Sequence, residues 1–127
     1  MEYRFKKFEK KNIRLENRIT LTKSNSIGFP QQFYQNNGIK NFKYAVLYWD
    51  KKNKAIGIYF ANEKEKGGFK IIHGQKYGAQ VVVRSFLKEN NINPKIYYGR
   101  YDWEKYNLEG VGEIFVIKLK EREKDKK

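Results

Sequence analysis

The stretch that decides the fold runs from residue 18 to residue 60, RITLTKSNSIGFPQQFYQNNGIKNFKYAVLYWDKKNKAIGIYF. At its start, Ile19 and Leu21 alternate with polar residues, which is the period-two pattern of a strand with one buried face. The turn-forming residues 24–26 then separate this strand from a second short one at residues 27–29. The stretch is therefore predicted to open with two short strands.

A short helix and a hairpin follow. Pro30 suits the first position of a helix, and Gly38 suits the position just past its end, so residues 31–37 are predicted to be helical. Residues 44–49 are β-branched and aromatic, which is typical of a strand. The polar residues 50–54 predict a tight turn into a return strand at residues 55–60. The first half is thus predicted to be β-β-short α-β-β.

The rest of the chain is predicted to follow a similar order after a charged connector at residues 62–68. Its expected elements are strands at 69–72 and 79–83, a helix at 85–90, a long strand at 95–103, a loop at 104–112 and a strand at 113–119. Asn91, Asn93 and Pro94 are expected to end the helix. The second half is therefore predicted to repeat the order of elements of the first half.

The two halves also align in sequence. FYQNNGI at residues 33–39 matches FLKENNI at 86–92 with an offset of 53 positions. The predicted fold class is α+β, mostly β, with two similar halves forming one small β-barrel-like or sheet domain. The predicted organisation is a basic N-terminal arm at 1–17, one β-rich domain at 18–119 with repeat halves 18–61 and 68–119, and a flexible charged tail at 120–127.

The first half resembles the AbrB-like swapped-hairpin DNA-binding repeat. The resemblance rests on the short strand that ends at Pro30, the brief helix, the Gly38-Ile39-Lys40 break and the hairpin at residues 44–60. It is fainter in the second half, where Val83 stands at the place of the proline. A tandem arrangement would be similar to that of MraZ-like proteins, in which one chain supplies two repeats.

The resemblance implies DNA binding by basic residues on the N-terminal strands and turns. By position these are Arg18 and Lys23 in the first half, with Lys70 and Lys76 as looser counterparts in the second. It also implies a transcription regulator or an architectural protein. The family usually carries a Gly-Asp pair before the third strand, whereas this chain has Asn41-Phe42-Lys43.

Charge is the strongest global signal. The chain has 28 Lys and Arg against 14 Asp and Glu, a formal net charge of +14. Such a field attracts polyanions, and DNA and RNA bind by releasing counterions. An anionic membrane surface or a merely solubilising surface are the alternatives. No apolar run approaches the ~20 residues that span a bilayer, and we expect a cytoplasmic protein without membrane partners.

Catalysis is poorly supported by the residues present. The chain has no cysteine and a single histidine, His73, which has no second histidine to form a metal pair. A general acid or base also needs a positioned partner. We therefore expect no enzyme activity, no cofactor and no metal site.

Arginines and aromatics inside predicted elements are the remaining binding candidates. Arg84 and Arg100 could hold phosphates in a fixed fork, or they could pair with nearby acids. Tyr48, Tyr101 and Trp103 could stack on bases, or they could belong to the core. The firmest core predictions are the apolar residues Phe29, Phe33, Phe86, Ile117 and Leu119.

The function predicted from the sequence is a sequence-tolerant duplex-DNA binder that grips phosphates with Lys and Arg from both halves. One alternative is single-stranded DNA or RNA binding by aromatic stacking on a sheet face. Another is a non-catalytic protein-interaction module of phage or mobile-element origin. An exposed edge strand could also pair two chains into a homodimer.

Overall fold

The computed structural model describes residues 2–5, 7, 16–63, 67–74 and 78–121. Its strands are β1 (Ile19–Leu21), β2 (Ser26–Phe29), β3 (Tyr44–Asp50), β4 (Ala55–Ala61), β5 (Phe69–Lys70), β6 (Ile72–His73), β7 (Ala79–Val82), β8 (Gly99–Tyr101), β9 (Trp103–Leu108) and β10 (Gly112–Lys118). Its helices are α1 (Gln31–Asn36), α2 (Arg84–Glu89) and α3 (Pro94–Tyr97), with one 3₁₀ turn at Ile39–Asn41. The α+β, mostly β prediction is confirmed.

The strands form two antiparallel five-stranded sheets. Sheet A has the order β6-β7-β2-β1-β8, and sheet B has the order β5-β3-β4-β10-β9. Neither sheet closes on itself, so the barrel-like alternative is wrong and the fold is a pair of open sheets. The alternation predicted for β1 explains this packing, because the strand turns one row of apolar side chains toward the space between the sheets.

In both sheets, a strand of the first half pairs with a strand of the second half. In sheet A, β2 pairs with β7, with Ile27 opposite Val81. In sheet B, β4 pairs with β10, with Ile56 opposite Ile117. The strand orders β1-β2-β7-β6 and β3-β4-β10-β9 are therefore symmetrical about these central pairs, and α2 begins 53 positions after α1. The strand β9, and not the segment predicted as a strand at 95–103, takes the place that β3 occupies in the first half.

The core interlocks the two halves through aromatic contacts. Phe33 on α1 is fully buried, and its ring lies 5.2 Å from Trp103 and 5.1 Å from Phe115, both in the second half. Phe29 packs edge-on against Phe60 at 5.2 Å. Because a buried aromatic removes ~150–250 Å² from water, these contacts join the sheets strongly. The predicted core residues Phe29, Phe33, Ile117 and Leu119 are buried, whereas Phe86 is only partly buried.

Three predicted elements of the second half are wrong. The strand predicted at 69–72 is divided between β5 in sheet B and β6 in sheet A. The segment predicted as one strand at 95–103 instead contains α3 and β8, because the Asn93 side chain accepts a hydrogen bond from the Lys95 N–H at 2.9 Å and Pro94 occupies the first turn. The predicted loop at 104–112 is largely β9, an edge strand of mostly exposed residues. Its polar composition resembles a loop because one of its sides faces solvent.

Candidate nucleic-acid interface

Two arginines that were predicted to bind nucleic acid, Arg18 and Arg100, both contact the carboxylate of Glu16 at the edge of sheet A. The Arg18 Nε and Nη2 atoms donate to the two oxygens of Glu16 at 2.8 and 3.0 Å. Arg100 reaches Glu16 at 3.7 Å from the neighbouring strand β8, where it lies opposite Thr20 of β1. The structure therefore shows ion pairing, which was the alternative for Arg100, and Arg18 shares the same carboxylate.

The pKa of the Glu16 carboxyl is strongly lowered, so its negative charge persists. Hydrogen bonds from the Arg18 side chain and backbone lower the pKa of the Glu16 carboxyl to about 2. The carboxyl is thus ionised at any physiological pH, and it offsets part of the positive charge of Arg18 and Arg100. Any phosphate at this edge must compete with Glu16.

A second group of cations lies around α3. The Lys23 ammonium, from the β1–β2 turn, sits 4.3 Å from the centre of the Tyr98 ring. The Lys54 ammonium, from the β3–β4 turn, lies 5.8 Å from the Tyr97 ring and 3.5 Å from the Tyr97 hydroxyl. Two distant turns thus bring their lysines onto two successive tyrosines. We call Lys23, Lys51, Lys54, Tyr97 and Tyr98 the lysine–tyrosine surface.

A shallow groove of about 360 Å³ lies beside the contact between Lys54 and Tyr97. Lys51, Lys54 and Tyr97 form one side, and the last turn of α2 with Asn90 and Asn91 forms the other. Glu89 is the acidic residue among its lining residues. The groove is therefore rich in amide and ammonium donors, which are the groups that hold phosphate oxygens.

Local sequence explains how this surface forms. Asn93 and Pro94 start α3, and this one-turn helix ends at Tyr97, so Tyr98 follows in extended backbone. Successive residues at such a helix end point in different directions, and here they face two different turns. The Asn-Pro pair is a helix-start signal, and it could have identified α3 and the site from the sequence.

Two of the residues that were candidates for base stacking, Tyr101 and Trp103, belong to the core instead. Tyr101 is only 6% exposed, and its hydroxyl bonds to the carbonyls of Tyr97 and Lys120 and accepts from the Lys120 N–H at 3.1 Å. Trp103 is half-buried on the core side of β9, and its indole N–H donates to the Asn17 carbonyl at 2.8 Å. The core alternative therefore holds for both residues.

The remaining predicted residues lie in separate places. Tyr48 is half-buried on the outer side of sheet B, and Lys70 is exposed on the neighbouring β5, where it lies opposite Tyr44. Arg84 is exposed at the first position of α2. Lys76 lies outside the described residues. The structure thus places Lys23 over Tyr98, and separately brings Lys51, Lys54 and Tyr97 together around one groove; of these residues, only Lys23 was a predicted site residue.

His73 has structural partners. Its Nδ1 lies 2.7 Å from the Tyr34 hydroxyl and its Nε2 lies 2.9 Å from the Phe42 carbonyl. The carbonyl can only accept, so Nε2 carries the proton and the Tyr34 hydroxyl donates to Nδ1. His73 therefore ties β6 to α1 and to the chain before β3.

The part of the chain that the structure describes shows neither a cluster of metal-ligating side chains nor a membrane-spanning helix. There, the side chains of His, Asp and Glu do not gather in groups of three that could ligate a metal ion. Among the same residues, each helix falls short of the length and apolar content needed to cross a bilayer.

Comparison of the chain with protein-family models, with curated proteins and with solved structures finds no match. The function must therefore be inferred from the chemistry of the described surfaces.

Proposed function

We propose that this protein binds nucleic acid, with duplex DNA as the preferred form, and that the lysine–tyrosine surface makes the central contacts. The observation that carries this proposal is the placement of Lys23 and Lys54 over two adjacent tyrosine rings, at 4.3 and 5.8 Å. A tyrosine ring holds a lysine in position without neutralising it, unlike a carboxylate. The ammonium charge stays available to an incoming phosphate.

The binding mechanism is the neutralisation of phosphates. Lys23, Lys51 and Lys54 replace the counterions of the DNA backbone, and the released ions drive association. Asn91 offers an amide group along the same groove, where the Asn90 Nδ2 atom already donates to the Phe86 carbonyl at 2.9 Å. Contacts of this kind position the duplex but do not distinguish bases, so we expect sequence-tolerant binding. No catalytic step and no cofactor enter this proposal.

In this proposal, the phosphate contacts come from only one of the two corresponding hairpin turns. In the first half, the β3–β4 turn carries Lys51, Lys52 and Lys54, whereas the corresponding β9–β10 turn of the second half is flanked by Glu109 and Glu113. We infer that the two halves are repeats, as in the AbrB-like resemblance, and that only one hairpin end has kept a basic surface. This modifies the expectation that Lys and Arg from both halves bind phosphates.

Arg18 and Arg100 take a peripheral role in this proposal. Both lie at the edge of sheet A and share the ionised Glu16. An arginine that is already paired must give up that partner, or share it, to contact a phosphate. Lys23 and Lys54 lie over tyrosine rings, so they need not give up a carboxylate partner to contact a phosphate.

The test is a salt titration of binding to a short blunt duplex, followed by fluorescence anisotropy. Three cations, Lys23, Lys51 and Lys54, would give a slope of log Kobs against log salt of about −2.7, at ~0.9 per phosphate contact. A slope near zero, or no binding at low salt, would refute the proposal.

A further inference from the structure

The groove beside Lys54 and Tyr97 has an apolar side that the phosphate contacts do not use. Trp49, near the end of β3, lines this groove together with Ile92, which follows α2. Trp49 belongs to the row of β3 that faces the core, where it lies opposite Ile56, and its side chain is only partly buried. Part of the Trp49 side chain is therefore exposed in the groove, close in sequence to the turn that carries the lysines.

The charges along this groove favour an anionic ligand. Its described lining carries the ammonium groups of Lys51 and Lys54 and, against them, the carboxylate of Glu89. The Lys54 ammonium is held at the wall of the groove, 3.5 Å from the Tyr97 hydroxyl. A ligand that combines an anionic group with a flat aromatic group matches both the lysines and the apolar side. A nucleotide has this combination, because its phosphate is anionic and its base has a π-face.

The opposite wall of the groove is formed by the end of α2. The Asn91 N–H donates to the Lys88 carbonyl at 3.2 Å, and the Ile92 N–H donates to the Leu87 carbonyl at 2.8 Å. These two bonds are those of a Schellman motif, which buries Ile92 and leaves Asn91 exposed. Because the last carbonyls of α2 accept from these donors, the repulsion that a helix C-terminus exerts on an anion is reduced.

The residue at this helix end differs between the two halves. With the offset of 53 positions, Asn91 corresponds to Gly38, and both have a left-handed backbone, with φ values of 57° and 62°. Glycine adopts this backbone without strain, and asparagine is one of the few other residues found in it. The second half therefore adds an amide, which can donate to a phosphate oxygen or to a base, where the first half has no side chain.

The size of the groove fits a single nucleotide. Its volume of about 360 Å³ lies near the lower end of the range of ~300–1,000 Å³ that is typical of small-ligand sites. A base inside a duplex is stacked between its neighbours and must leave the stack before a protein ring can contact its face. The nucleotide that enters the groove must therefore be unpaired.

We propose that this groove binds one unpaired nucleotide, with its base against Trp49 and its phosphate between Lys51 and Lys54. This inference rests on the proposed function and extends its ligand from a duplex to a duplex with unpaired nucleotides at its end. A strand end and a free nucleotide present the same base and phosphate. The strand end is favoured, because a duplex bound at the lysine–tyrosine surface holds it at a roughly millimolar effective concentration.

The experiment compares a blunt duplex with the same duplex carrying two unpaired nucleotides at one end, by fluorescence anisotropy at fixed salt. The wild-type protein should bind the extended duplex about tenfold more tightly, as expected for one stacked base. Trp49→Ala should reduce this affinity ratio to about one. Trp49→Phe keeps a ring and should retain most of the ratio, which separates the role of the ring from an effect on folding.

Two exposed asparagines provide a matched charge control. Asn91→Asp places a carboxylate in the groove and should lower the affinity ratio severalfold. Asn107→Asp makes the same change on β9, at the end of sheet B away from the β3–β4 turn, and should leave the ratio unchanged. Both side chains are exposed, so neither substitution removes a core contact.

The fluorescence of Trp49 reports contact with the base. The other tryptophan, Trp103, packs against the core and donates to the Asn17 carbonyl, so a quenching that disappears in Trp49→Phe comes from the groove. The extended duplex should quench this fluorescence more than the blunt duplex does. The nucleotide dAMP, added alone, distinguishes the two sources. Quenching by micromolar dAMP assigns the groove to free nucleotides, and quenching by the extended duplex alone assigns it to strand ends.

The outcomes separate this inference from the proposed function. Equal affinity for the two duplexes, or a ratio that survives both Trp49→Ala and Asn91→Asp, overturns the nucleotide site and leaves the duplex proposal intact. An equal loss of the ratio in Asn107→Asp also overturns the site. Failure of both duplexes to bind refutes the proposed function. Quenching by dAMP would then support the groove on its own, and the absence of quenching would overturn both.

Discussion

Replacing Lys23 and Lys54 by alanine, singly and together, gives the sharpest measure of the lysine–tyrosine surface. If each lysine neutralises one phosphate, its contribution to Kobs scales as the salt concentration to the power of about −0.9. Relative to the 1 M reference state, this amounts to about fifteenfold at ~0.05 M salt and about fivefold at ~0.15 M. The double variant should therefore lose roughly 30-fold in affinity at ~0.15 M, and its salt slope should flatten by about 1.8.

The assay is the anisotropy titration on a blunt duplex at several salt concentrations, with thermal melting to confirm the fold. Each substitution removes an exposed cation–π contact, worth roughly 0.5–1 kcal/mol of stability, so the variants should remain folded. Lys105→Ala is the matched control, because Lys105 lies 5.9 Å from the Phe115 ring but pairs with Glu113 at 3.8 Å. Affinity losses that do not change with salt, or an equal loss in the control, would show that these lysines do not contact phosphates.

Three further predictions concern the fold and the acidic partner of the arginines. Phe33→Ala should lower the free energy of unfolding by about 3–5 kcal/mol in urea denaturation, because it leaves a cavity where the two halves interlock; a loss below ~1 kcal/mol would contradict that role. Tyr101→Phe should cost about 1–3 kcal/mol by leaving buried backbone groups unpaired, with no change in nucleic-acid affinity. Glu16 should titrate near pH 2 by NMR, and Arg18→Ala should move its pKa toward the ordinary 4.5. Since the folded pKa is depressed, this pair's stabilisation is complete above about pH 4.5 and is lost as pH falls through about 2; an unshifted Glu16 would contradict the ion pair.

The first half of the chain was predictable almost element by element. The alternation around Ile19 and Leu21, the Pro30 and Gly38 signals around α1, and the turn at residues 50–54 are all local. Local signals act through backbone sterics and side-chain periodicity, so they survive in isolation. The same is true of Phe29 and Phe33, whose burial followed from their place on amphipathic elements.

The second half was harder, because two of its local signals compete. Tyrosines at 97, 98 and 101 favour a strand by composition, whereas Asn93 and Pro94 favour a helix start, and the helix start decided the structure up to Tyr97. This error made Tyr101 a candidate for base stacking, whereas it is a core residue. The edge strand β9 was missed because exposure on its open side removes the apolar alternation that identifies a buried strand.

By itself, the sequence determined the class of fold, the order of most elements and the excess of positive charge, because each depends on composition or on neighbours along the chain. Only the tertiary structure decided which cations are held by carboxylates and which lie over rings. Arg18 and Arg100 meet Glu16 across paired strands, whereas Lys23 and Lys54 reach adjacent tyrosines from two distant turns. These contacts depend on strand register and on how the two halves pack together. Both are long-range properties that no local sequence pattern encodes.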